Sequence, residues 1–186
     1  MVQLNWRYMK IPFDLNHAVA VLKRTPDTLK ALLYGLPEEW IRGNEGSETW
    51  SPFDVVGHLI HGEETDWIPR ARIILRNEKI VTFDSFDRFA QLKRFRRTRP
   101  EDLLQTFATL RAENLTELDG MQLNPDKLDK KGRHPELGVV SLKQLIATWT
   151  VHDLGHIRQV SKAMAWQYVD EVGPWRAYLT YLDVGK

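Results

Sequence analysis

Residues 141–168, SLKQLIATWTVHDLGHIRQVSKAMAWQY, constrain this chain more than any other stretch. Leu142, Leu145, Ile146, Trp149, Val160, Ala163 and Met164 recur at three- and four-residue steps, the period of an amphipathic helix. Two histidines, His152 and His156, stand four residues apart, so they share a face one turn above the other. On a helical wheel His156 falls inside the apolar stripe, His152 on its edge, and Asp153 also points inward. A polar group buried without a partner costs on the order of 1–3 kcal/mol. Two imidazoles and a carboxylate on a buried face therefore need a reason. Neutral imidazole is the commonest protein ligand for divalent ions, and the HDLGH spacing resembles that of helical zinc sites. The alternative is a pair of half-buried histidines satisfied by backbone carbonyls or water.

The rest of the chain is read around that helix. With 186 residues one domain, 1–186, is the default, long enough to bury a core without staples. There is no cysteine, which removes disulfides, thiolate metal sites and a cysteine nucleophile, and fits a reducing, cytoplasmic setting. The N-terminal MVQLNWRYMKIPFDL lacks the basic start and apolar core of a signal peptide, and no apolar run is long enough to span a membrane. Net charge is +1, and the basic run KRFRRTR (93–99) reads as a solvated face, so no nucleic-acid partner is expected. Seven tryptophans suggest a core or a pocket built of large aromatics.

An extended arm is expected over residues 1–13. A first helix starts near Asp14, is broken at Pro26 with Thr25 as cap, and stops at Gly35. A solvent-facing His17 lies on it, and a loop follows over 35–50. Ser51-Pro52-Phe53-Asp54 is a helix-start signal with a capping box, and the second helix runs to about Arg76 with a bend near Pro69. Val55, Val56, Leu59 and Ile60 define its inner face, with His58 at the edge and His61 outside. Glu63, Asp66, Trp67 and Arg70 lie on or beside that face and point to a lined cavity, a buried ion pair or a charged helix end. With Trp149 they are the candidate substrate pocket. A connection over 77–98 leads to a third helix from Pro100 to Leu118, whose periodic Leu103, Leu104, Phe107, Leu110, Leu115 and Leu118 read as plain packing. No titratable residue there marks a site. Residues 119–140 read as a long loop in which His134 sits free to cover a site. Ser141 and Gln144 form a second capping box, and the tail 170–182 is expected to fold back over the bundle.

Four long helical segments with modest loops imply an all-α four-helix bundle, where sites are built from side chains on facing helices. His58, His152 and His156 can meet there. Three nitrogens leave a coordination position open, the pattern of a catalytic site. Asp153, which follows the first ligand as Glu does in HExxH, is the candidate base or orienting group. The stretches WSPFDVVGHLIHGEE and SLKQLIATWTVHDLGHIRQV, with VGPW near the end, resemble the DinB-like superfamily, which includes the YfiT-like metal-dependent hydrolases. That resemblance implies an up-down-down-up four-helix bundle and His58, His152 and His156 as ligands of a divalent metal, zinc or nickel foremost, with iron or manganese also seen. It implies a homodimer and a small-molecule substrate, and among relatives thiol transfer with bacillithiol and isomerisation with mycothiol. Hydrolysis or transfer to a low-molecular-weight thiol is the expected activity. A zinc peptidase of the HExxH kind is disfavoured by the aspartate at 153, and a non-catalytic metal-binding or stress-response module is the remaining alternative.

Overall fold

The computed structural model describes residues 10–182. The first arm of the bundle is α1 (Leu15–Leu22) and α2 (Thr25–Leu33), and a short α3 (Glu38–Arg42) lies in the segment read as a loop. The second arm is α4 (Pro52–Thr65) and α5 (Trp67–Arg76). A connection carrying α6 (Gln91–Arg94) leads to the third arm, α7 (Pro100–Gly120). After α8 (Pro125–Asp129) a hairpin of β1 (Lys131–His134) and β2 (Gly138–Ser141) precedes the fourth arm, α9 (Leu142–Trp166). Two 3-10 turns, Gly173–Tyr178 and Thr180–Leu182, follow. Of the expected N-terminal arm, residues 1–9 lie outside the described residues. Among the described residues no helix is long and apolar enough to cross a membrane.

Local chemistry explains where the arms start and break. Asp14 accepts the His17 N–H and caps α1. Pro26 has no N–H to offer the Leu22 carbonyl four residues back, so the first arm breaks between α1 and α2. Thr25 is not a cap, as the sequence suggests; it is the first residue of α2 and is buried. Ser51 and Asp54 form the expected capping box of α4, and Ser141 and Gln144 that of α9. The second arm bends at Asp66, where Pro69 withholds the N–H that would reach the Thr65 carbonyl.

Helix directions follow from which residues meet. Glu63 pairs with Arg111 and, farther along both arms, Arg72 with Glu117, so arms two and three run the same way. His58 meets His152 and His156, whereas Trp67 stacks on Trp149, so arms two and four run oppositely. Ala18 and Leu22 share a core with Leu142, Leu145 and Trp149, while Leu29 and Leu33 share another with Val160. Arm one therefore runs with arm four, and the bundle is up-down-down-up. The long 77–99 segment is what two successive parallel arms require. One apolar core gathers Leu22, Ile68, Ile74, Leu118 and Ile146; the other gathers Leu33, Ile60, Phe107 and Val160.

Residues 119–140 are more ordered than a long loop. Asn124 caps α8 by accepting the Lys127 N–H, and β1 pairs antiparallel with β2 from Lys131–Ser141 to His134–Gly138. Gly138 takes φ 79°, a turn conformation that glycine adopts without strain. Gly132 lies so close to Phe83 that a Cβ would come within 2.4 Å of the ring. This approach lets Arg133 exchange backbone bonds with Val81 and Phe83, which fastens the hairpin to the 77–99 connection. Of the tail, Leu182 is buried, but Trp175, Tyr178 and Tyr181 are exposed, so it covers less of the bundle than its apolar residues suggest. The basic run is solvated as read, with Arg94 paired to Glu64 and Arg99 to Asp102.

Candidate metal centre

Three imidazoles from two arms converge beside the middle of the bundle. His152 and His156 share one face of α9, and His58 faces them from α4. The Nε2 atom of His152 lies 3.2 Å from that of His58 and 3.0 Å from that of His156. One ligand atom from each of the three lies within 4.8 Å of the others. His156 Nδ1 donates to Gln159 Oε1 at 2.9 Å, which leaves its Nε2 as a bare lone pair. Among the described residues His152 Nδ1 is buried without a partner, and His58 faces the Arg88 backbone without a bond of ordinary geometry.

Hydrogen bonding alone does not account for this cluster. A neutral imidazole nitrogen has one in-plane position, occupied either by a proton or by a lone pair. His152 Nε2 is within contact of two other Nε2 atoms and can serve only one of them. The other contact then sets two like groups against each other in a buried place. A cation removes the conflict, because all three nitrogens present lone pairs to it. Metal–nitrogen bonds of about 2.0–2.1 Å put two ligand nitrogens roughly 3.0–3.4 Å apart, which fits the two measured separations. Burial keeps the rings neutral. It pushes His58 down to about 3, helped by His156, His61 and Arg88. It also pushes His152 and His156 down, although Gln159 and Asp153 oppose the shift at His156.

The triad opens onto a cavity of about 1320 Å³. Trp50, Trp67, Phe83, Phe86 and Phe89 form much of its wall. Trp50 lies 4.8 Å from the His58 ring, Phe86 5.5 Å from it, and Trp67 5.0 Å from His152, so aromatic faces hold the imidazoles in place. Asp66 and Arg70 belong to the same wall and form an ion pair at 2.6 Å. Burial raises the Asp66 carboxyl against the pull of Arg70. His134 reaches the cavity from the hairpin, its Nδ1 lone pair shared between the N–H groups of Glu136 and Leu137, each at 3.2 Å.

Of the expected pocket residues, Asp66, Trp67 and Arg70 line this cavity, whereas Glu63 and Trp149 lie behind it in the bundle interior. Trp149 Nε1 donates to Glu63 Oε1 at 3.1 Å, and its ring stacks behind Trp67. Asp153 also differs from its expected role as base or orienting group. It is fully buried, and both carboxylate oxygens are taken by Arg111, one also by Thr25, because the inward side of α9 faces those two residues. His61, expected outside, is half-buried against Phe86 at 4.9 Å. The residue missed altogether is Arg111, 1% exposed on the helix read as plain packing. Its signal is its position: it fills the core step between Phe107 and Leu115.

Comparison with curated proteins finds no match. Among solved structures the chain is similar to YfiT from Bacillus subtilis, described as a probable metal-dependent hydrolase with an unusual four-helix bundle topology. Identity is 17% and the TM-score 0.72, over 89% of this chain and 93% of that one, a likeness of fold. Residues 21–160, which include all three converging histidines, match the DinB superfamily. The chain belongs to the DinB superfamily.

Proposed function

We propose that His58, His152 and His156 hold a divalent metal ion, zinc or nickel foremost, and that the aromatic cavity brings a small organic substrate to it. The reaction is hydrolysis or transfer to a low-molecular-weight thiol. The observation that carries this reading is the shared His152 Nε2, which contacts two other imidazole nitrogens at once. A bound divalent ion supplies Lewis acidity and lowers the pKa of a coordinated water or thiol. The chain's own residues do the rest. Trp50, Phe86 and Trp67 pack against the rings and fix their planes. Gln159 holds the His156 tautomer with Nε2 unprotonated. The Asp66–Arg70 pair offers the substrate a polar anchor away from the histidines. A thiol acceptor must come from outside, since the chain has no cysteine.

Elemental analysis of protein purified without an affinity tag tests the reading. Near one equivalent of divalent metal is expected in the parent and little in His58→Ala and His156→Ala. Esters, amides and electrophiles are then screened with and without added thiol. Turnover only with thiol selects transfer, and turnover in water alone selects hydrolysis. A parent that takes up no zinc or nickel overturns the metal reading and leaves a non-catalytic module.

A further inference from the structure

Beside the triad a second polar group crosses the bundle, and every arm contributes to it, through Thr25, Glu63, Arg111 and Asp153. Arg111 is the hub. Its Nη1 donates to Asp153 Oδ2 at 2.6 Å and to the Leu22 carbonyl at 2.9 Å. Its Nη2 donates to Glu63 Oε1 at 2.8 Å and to Asp153 Oδ1 at 3.1 Å. Thr25 Oγ1 donates to Asp153 Oδ2 at 2.6 Å, and Asn114 Nδ2 donates to Glu63 Oε2 at 3.0 Å. The Leu22 carbonyl is the one that Pro26 leaves without its helical donor. One guanidinium therefore ties arm three to arms one, two and four.

The tie falls on the two helices that carry the imidazoles. Asp153 directly follows His152, and Glu63 lies five residues beyond His58 on α4. Gripping Asp153 on the inward side of α9 sets the rotation at which His152 and His156 face the cavity. Gripping Glu63 sets how far α4 stands from α9. A planar fork makes these four bonds from two nitrogens, and a lysine ammonium, a single nitrogen with three donors, cannot reproduce them. We infer that Arg111, which touches none of the three histidines, is the positioning residue of the tri-imidazole site: its fork fixes the separation and rotation of the helices bearing them. The inference rests on the metal reading only for the second of the two readouts below.

The test compares the parent with Arg111→Lys and with Leu33→Ala, a core truncation in the other apolar cluster that lowers the unfolding temperature without touching the fork. The first readout is the imidazole nitrogen resonances of the metal-free protein labelled at histidine. Arg111→Lys is expected to shift those of His58, His152 and His156 while retaining helical circular dichroism, and Leu33→Ala to leave them in place. The second readout is titration with cobalt(II) alone, whose visible bands report coordination geometry. Arg111→Lys is expected to bind about 10–100-fold more weakly, the usual effect of an outer-shell change, with altered bands. Unchanged resonances in folded Arg111→Lys overturn the inference. So does an equal loss of cobalt affinity in Leu33→Ala at a matched fall in unfolding temperature. If Arg111→Lys fails to fold, Glu63→Gln, which keeps shape and loosens the grip on α4 alone, is judged by the same two readouts. A parent that binds no cobalt refutes the proposed function, and the resonances still decide the role of Arg111.

Discussion

Two polar groups sit side by side on α9, and consecutive residues, His152 and Asp153, belong to one each. Around Asp153 donors and acceptors largely match, with Arg111 Nε buried and left over. A guanidinium, a hydroxyl, an amide and an indole N–H meet two carboxylates and an orphan carbonyl, all within 3.1 Å. Burial works against the Arg111 charge, but Asp153 and Glu63 outweigh it and raise its pKa. Around His152 the Nε2 atoms do not match. Three neutral rings present like atoms to one another; His156 is anchored by Gln159, and His58 and His152 pack against aromatic rings. The first arrangement pairs its charges within the chain and specifies how the arms align. The second becomes complete only with something added, and that distinguishes a binding site from a structural one.

The largest effect is expected where the charge-paired group is broken. Arg111→Met leaves two buried carboxylates without their cation, and removing one partner of a buried ion pair costs about 3–5 kcal/mol. His152→Ala removes a ring that has no matched partner and is expected to cost on the order of 1 kcal/mol in metal-free protein. Urea unfolding of both variants checks the ordering. Equal losses would mean that the triad is as self-sufficient as the Arg111 group. Next in size is the effect of completing the triad. Zinc or nickel at a hundredfold excess over its dissociation constant is expected to stabilise the parent by about 2.7 kcal/mol, roughly 5–10 °C in midpoint for a chain of this length. The same addition is expected to do nothing for His156→Ala. A midpoint that rises equally in both would place the ion elsewhere.

The sequence made the histidines legible because an i, i+4 pair on an apolar stripe breaks a simple rule, that such positions carry apolar side chains. Asp66, Trp67 and Arg70 were legible for the same reason on the second arm. Glu63 and Asp153 are visible as inward polar residues, but the wheel gives a direction and not a partner, so Glu63 reads as pocket lining and Asp153 as a base or orienting group. Their partner, Arg111, stands at a core step of α7, where a long aliphatic stem imitates a leucine. The consequence of Pro26 also needed the fold: the lost N–H is local, whereas the guanidinium that answers the Leu22 carbonyl comes from 89 positions away. Phe83, Phe86 and Phe89 recur every three residues in the 77–99 connection, a run too short to tell a helix from a loop. The hairpin escaped notice because its strands are four residues each and one contains the glycine that lets it lie on Phe83.

A slope rather than a single loss separates the two groups by pH. Burial holds the folded pKa of His58 at about 3, against 6.5 for the free side chain. Between those values the unfolded chain takes up a proton at this residue and the folded chain does not. Stability then rises with pH across the window and is lost as pH falls through it, by up to about 1.4 kcal/mol per pH unit for one such group. Above pH 6.5 both states are neutral and the contribution is flat. His58→Ala is therefore expected to flatten the metal-free stability profile between about pH 6.5 and 4 by roughly that slope, with no change in shape above pH 7. Denaturant midpoints measured at half-unit steps in metal-free buffer check this. A variant whose profile stays as steep as the parent's would show that the imidazole already carries its proton in the folded chain. The mismatch among the three rings would then be smaller than their geometry implies, and the contrast with the Arg111 group would weaken with it.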